Sequence, residues 1–308
     1  MTELLLLAGL SIAVFVLLGA STRSANRRPK AFRLTFPRGV RPEQIVAFAR
    51  SLSGLLPPWW RRWLGTPAVI FEAEGDEHGI THRLIAPAEQ AGYVLAQLQA
   101  AIPGTRIEEE ALTPLELRTA VELRVSSTRV PLRTDQSEAT AAGLLATLQP
   151  RRAGERTLIQ WTLAPVPSGG FQGSVPLSSL LAELTLGGGR IQASLPVERA
   201  RAEREKRAEP EVHAVCRLGA RAGTSGRELQ LLRRMIGAFH AGNAPGVSFR
   251  VRWLPGAVVA RRIAARGHGS WTCRLNAKEV AGFLGVPIGE PQLPGLTLGG
   301  GPPAGRFV

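Results

Sequence analysis

Residues 68–86 read AVIFEAEGDEHGITHRLIA. An apolar run (68–73) is followed by Glu74, Gly75 and Asp76, and then by a second run (79–86) in which apolar and polar residues mix. Two β-prone stretches around a Gly/Asp turn make a hairpin. Outward from it, the chain reads the same on both sides. Upstream, Phe32, Leu34 and Phe36 alternate with Arg33 and Thr35, a strand with one buried face, and Pro37 and Gly39 end it. Pro42 opens a helix with the stripe Ile45, Val46, Phe48, Ala49, Leu52 and Leu56, which Pro57 and Pro58 stop. Downstream, Pro87 leads into a helix with Val94, Leu95, Leu98 and Ile102 on one face, and residues 106–111 form a last strand. The order is strand, helix, strand, strand, helix, strand, the split βαβ or ferredoxin-like path.

The pattern recurs. Val121, Leu123 and Val125 alternate with Glu122, Arg124 and Ser126. A helix over 137–148 follows, then strands over 158–164 and 212–218. An amphipathic helix over 225–240 is expected to turn Leu229, Leu232, Met235, Ile236 and Phe239 inward, and a strand over 247–254 closes the copy. This second copy carries an insertion at 165–210. In it, residues 175–186 read as a short apolar helix. The run VERARAEREKRAEPE (197–211) reads as a helix whose Glu and Arg residues sit three and four apart in solvent, either a surface spacer or an arm. After it, LNAKEV predicts a helix capped by Asn276 with Glu279 completing the box, and the Pro/Gly-rich stretch from Pro287 reads as an extended linker.

Ahead of both copies, residues 4–20 read LLLLAGLSIAVFVLLGA without a charge. At about 1.5 Å per residue this run is about 25 Å long, the short end of a bilayer span. Glu3 is the only charged side chain before it, while Arg23, Arg27, Arg28 and Lys30 follow. That pattern suits an uncleaved anchor in the inner membrane, with its N-terminus outside and the bulk of the chain cytoplasmic, rather than a cleaved signal peptide. The expected fold is therefore α+β. A transmembrane anchor and basic flank (1–30) precede a first ferredoxin-like module (31–115), a second with the insertion at 165–210 (116–256), and a helix with a Pro/Gly-rich tail (257–308).

The formal net charge is +14, carried almost wholly by arginine, since lysine occurs only at positions 30, 206 and 278. Such a balance favours anionic partners, DNA or the surface of membrane lipid, and also reflects composition bias. Cys216 and Cys273 are too few for a disulfide framework or a zinc cluster and read as buried thiols. His78 and His82 flank the hairpin without a further ligand set and read as solvated hairpin histidines. No phosphate loop, nucleophile elbow, HExxH or paired CxxC occurs, so no catalytic, cofactor or metal residues emerge. Phe32 and Phe36 share a strand face without the glycine-rich signatures of an RNA-binding sheet, and core packing explains them. The residues with the chemistry for nucleic-acid or partner contact are Trp59 and Trp60 beside Arg61 and Arg62, and the cluster Arg261, Arg262 and Arg266.

Four stretches carry a resemblance: GTPAVIFEAEGDEHGITHRLIAP (65–87), VLAQLQAAIPGTRIEE (94–109), EKRAEPEVHAVCRLGARA (205–222) and RLNAKEVAGFLGVPIGEPQLPGL (274–296). They resemble the region ahead of the motor domain in actinobacterial conjugative coupling ATPases of type IV secretion systems, the HerA/FtsK-like class. The resemblance covers nearly the whole chain and its motifs are structural. It implies an accessory region of a DNA-transfer machine, set at the membrane. The partners implied are a motor ATPase or other secretion-system subunits, DNA, and further copies of the chain. With no phosphate loop, ATP hydrolysis carries over to no residue. The alternative is a stand-alone basic nucleic-acid-binding module.

Overall fold

The computed structural model describes residues 29–60, 66–149, 152–166 and 197–299. The strands are β1 Pro29–Thr35, β2 Val69–Asp76, β3 Gly79–Pro87, β4 Arg106–Glu110, β5 Thr119–Val125, β6 Arg156–Pro165, β7 Glu211–Arg221, β8 Phe249–Val251 and β9 Cys273–Asn276. The helices are α1 Pro42–Ser51, α2 Ala88–Ala101, α3 Ser137–Thr147, α4 Val197–Arg207, α5 Ser225–Phe239, α6 Gly256–Ala264 and α7 Ala277–Phe283.

Two tandem modules were expected; instead the strands form one antiparallel sheet of nine. Its order is β4-β1-β3-β2-β6-β7-β5-β8, with β9 paired to β7. The halves meet where β2 lies against β6, from Val69↔Leu163 to Gly75↔Thr157. The order is palindromic: fourth, first, third, second, then second, third, first, fourth. Each half would otherwise leave its second strand as an open edge of unpaired amides and carbonyls, and mutual pairing closes both edges. The hairpin turn also moves. β2 runs on through Glu74, Gly75 and Asp76, and Glu77 and His78 make the turn, where the Asp76 carboxylate accepts from the His78 amide at 2.8 Å.

The expected transmembrane helix is corrected as well. No helix among the described residues is long and apolar enough to cross a membrane. The longest, α5, has 15 residues, about 22 Å at 1.5 Å per residue, short of a hydrocarbon core of roughly 30 Å. Residues 4–20 lie outside the described ones, as does the apolar helix expected over 175–186.

One face of the sheet packs on α1, α2, α3, α5 and α7, and Phe36, Phe48, Phe71, Trp161, Phe239 and Phe283 are the largest apolar side chains in this core. Full burial of each contributes about 1.5–3 kcal/mol. In α5 the inward set is Leu231, Leu232, Met235 and Phe239, while Leu229 lies exposed. Among the described helices only α6 packs on the opposite face, through Val259 and Ile263 against Ala120 and Leu158.

The tail is not a free linker as far as Gly299. The amides of Gly289, Ile80 and Gly299 donate to the carbonyls of Val40, Gly295 and Phe36, which stitches residues 289–299 along the first half. The charged helix α4 is not wholly solvated either. Lys206 is buried and ion-paired with buried Glu279, whose carboxylate also accepts from the Leu132 amide at 2.6 Å and the Asn276 amide at 2.7 Å. Asn276 caps α7 in return, accepting from the Glu279 amide at 2.9 Å.

Candidate functional site

The second face of the sheet, partly covered by α6, holds a continuous row of buried charge. Because opposed residues of an antiparallel pair share a face, the registers define one polar row across seven strands. It runs Glu108–Arg33–Arg83–Glu72–Gln160–Arg217–Glu122. At its end the Arg252 amide donates to the Glu122 carbonyl at 2.8 Å. Glu72, Gln160, Arg217 and Glu122 in the middle are fully buried.

Such a row is tolerable only if every member is satisfied. Gln160 Nε2 donates to Glu72 Oε1 at 2.9 Å and to the Ile263 carbonyl at 3.2 Å. Arg217 donates from Nε to Glu122 Oε2 at 3.0 Å, and from its two terminal nitrogens to the carbonyls of Gly267 and His268 at 2.6 Å each. Burial pulls the Arg217 guanidinium below its ordinary pKa, and Glu122 opposes that pull. The loop that supplies those carbonyls is itself braced by rings: His268 stacks on Trp271 at 4.5 Å, and Trp271 on His213 at 5.7 Å. Burial lowers the pKa of both histidines.

The arginines singled out in the sequence separate here. Arg266 spans from α6 to the first half, with Nε 3.2 Å from Glu72 Oε1 and Nη2 donating to the Thr113 carbonyl at 3.3 Å. Arg262 stands 3.6 Å from Glu122 Oε2, which Arg217 also engages; Arg252 bonds Glu122 Oε1 at 2.8 Å. Arg262 and Arg266 therefore neutralise buried carboxylates and fasten α6 to the sheet. Arg261, by contrast, is exposed and has no ion pair among the described residues. Trp59 and Trp60 stand in solvent on a short turn, 79% and 50% exposed. Arg61 and Arg62 lie outside the described residues.

The histidine pair also separates. His78 is exposed beside Glu77 at 3.6 Å. His82 is buried rather than solvated, edge-on to Phe36, with Nε2 2.8 Å from the Gly285 carbonyl. Among the described residues, no three His, Cys, Asp or Glu side chains gather to hold a metal ion. Cys216 and Cys273 are free and buried, and burial pushes the Cys273 thiol up to about 12 and Cys216 higher than its ordinary value as well.

Three residues that sequence reasoning did not single out complete the surface. Arg124 and Arg250 lie directly opposite each other on β5 and β8, both exposed and neither ion-paired among the described residues. Trp253, just beyond β8, is 99% exposed. The alternation that marks Arg124 as a polar-face position was legible; the register that sets Arg250 across from it was not. Elsewhere, a groove of about 660 Å³ between the first turns of α1 and α3 is lined by Glu43, Asp135, Glu138 and Glu290 without a basic residue, and the acids in those first turns also complement the helix dipoles. Comparison with protein-family models and with curated proteins found no match to this chain.

Proposed function

We propose that this chain is a binding component rather than a catalyst: an accessory region of a DNA-transfer machine that contacts nucleic acid at one corner of its sheet. One observation carries the reading, the segregation of charge. Buried Arg217 and half-buried Arg266 are matched by the buried acids Glu122 and Glu72, so they add little to the surface field. Exposed guanidiniums without ion pairs among the described residues supply the excess. Three of them, Arg124, Arg250 and Arg261, fall on β5, on its neighbour β8, and on α6, which packs against β5. A one-signed patch on a rigid sheet is the footprint that favours a polyanion. The resemblance of the four sequence stretches to the region ahead of a conjugative motor supplies the context of DNA transfer.

The test is binding of single- and double-stranded oligonucleotides to the full-length chain across a salt series. Each phosphate contact on a single strand contributes roughly −0.7 to the slope of log K against log salt. The reading expects a slope of about −2 or steeper, from three or more contacts. Affinity at low salt no better than that of a neutral control protein contradicts it.

A further inference from the structure

Arginines directly opposite each other in an antiparallel pair repel, and a sheet loses stability by them unless something of opposite charge sits between. This sheet contains three such pairs, and in one of them, Arg156 facing Arg221, each guanidinium has its own carboxylate, Glu74 at 3.5 Å from Arg156 and Glu116 ion-paired to Arg221. In the first half, Arg33 faces Arg83. Glu110 lies between them, ion-paired to both: its Oε2 is 3.3 Å from Arg33 Nε, and its Oε1 accepts from Arg83 Nε. In the second half, Arg124 faces Arg250, and among the described residues no carboxylate fills the corresponding role. The nearest acid on that face is Glu122, which is already engaged by Arg217, Arg252 and Arg262.

What Arg124 and Arg250 have instead is a set of hydroxyls one row along. Ser126 Oγ accepts from the Ser248 amide at 2.9 Å, and Ser248 Oγ lies 3.4 Å from Ser126 Oγ. Arg250 Nε donates to Ser248 Oγ at 3.4 Å, which holds its guanidinium on the serine side. Two guanidiniums and two hydroxyls on one strand pair present several donors and no counter-charge. β8 is the outermost strand on this side of the sheet, so a chain bound there can pass over the edge. Three residues on from Arg250, just past the end of β8, the Trp253 ring is left in solvent at 99% exposure while Trp161 is buried in the core.

Resting on the nucleic-acid reading above, we propose that Arg124 and Arg250, with Ser126 and Ser248, form a phosphate subsite, and that Trp253 is the platform on which an adjacent base of a single strand stacks. The anion takes the place that Glu110 holds in the first half. An unpaired strand is favoured over a duplex because the indole needs a free base face.

The test uses the full-length chain and fluorescently labelled oligo-dT. The double variant R124Q/R250Q is expected to bind roughly tenfold more weakly than wild type, with a salt slope shallower by about 0.7, the single-strand value for one phosphate. W253A is expected to weaken binding roughly tenfold with the slope unchanged, since stacking releases no counterion. The charge-matched control R38Q/R152Q, at exposed arginines elsewhere, should bind like wild type. If control and double variant weaken equally, the subsite is overturned and only a diffuse basic surface remains, with the broader reading intact. If wild type ignores oligo-dT but binds phosphatidylglycerol vesicles through Arg124 and Arg250, the ligand is a lipid headgroup and the nucleic-acid assignment is overturned. If it binds neither, both readings fall. Unchanged urea midpoints for the variants separate lost contacts from lost folding.

Discussion

Single residues decide how this sheet tolerates charge. His82 was expected in solvent from its place in a hairpin, yet its strand neighbours Ile80 and Leu84 are core residues, and the period of two puts all three on one face. Burial drives its pKa from 6.5 down to about 4, with the Gly285 carbonyl opposing the fall. In the unfolded chain the ring takes up a proton near 6.5, whereas in the folded chain it stays neutral. Its neutral state therefore favours folding fully above pH 6.5, and that advantage is lost as pH falls toward 4, with no further loss below. At pH 5 the deficit is about 2 kcal/mol. Urea unfolding at pH 7 and pH 5 should show a larger loss of stability on acidification for wild type than for H82Q; equal losses contradict the burial. Burial of His213 and His268 acts in the same direction, so the variant comparison isolates His82.

At the scale of elements, the β2–β6 seam joins the halves, and it has one point with no spare room. A Cβ on Gly75 would stand 1.8 Å from the Leu148 carbonyl oxygen, and Gly75 pairs with Thr157 across the seam. Backbone rather than a flexible side chain blocks the space, so the strand or the end of α3 must shift. G75A should cost about 2 kcal/mol or more, read as a lower urea midpoint; an unchanged midpoint contradicts the seam's close fit. The sequence made the elements legible where periodicity and punctuation agree, as with Pro42 opening α1, the Asn276–Glu279 box on α7 and the alternation in β1 and β5. It did not make the seam legible. Glu74-Gly75-Asp76 has the composition of a turn, and pairing of all three with β3, and of Glu74 and Gly75 with β6 as well, keeps it extended. Nor did it show the burial of Lys206, because a helix of alternating charges looks solvated until Glu279 is seen beneath it.

For the whole molecule, the halves match in strand order but not in charge. The first half closes its opposed arginines with Glu110, while the second leaves Arg124 and Arg250 open beside Trp253. Of the seven contact residues read from the sequence, Arg262 and Arg266 serve the interior, Arg61 and Arg62 lie outside the described residues, and Arg261, Trp59 and Trp60 remain at the surface. Composition counts guanidiniums but says nothing of which ones face a carboxylate, and that is why the basic corner was not legible. The most direct measurement is ultraviolet crosslinking of oligo-dT to the full-length chain, followed by peptide mapping. The account predicts adducts within residues 248–261, centred on Trp253; adducts confined to the peptide that bears Trp59 and Trp60, with none at 248–261, would contradict it.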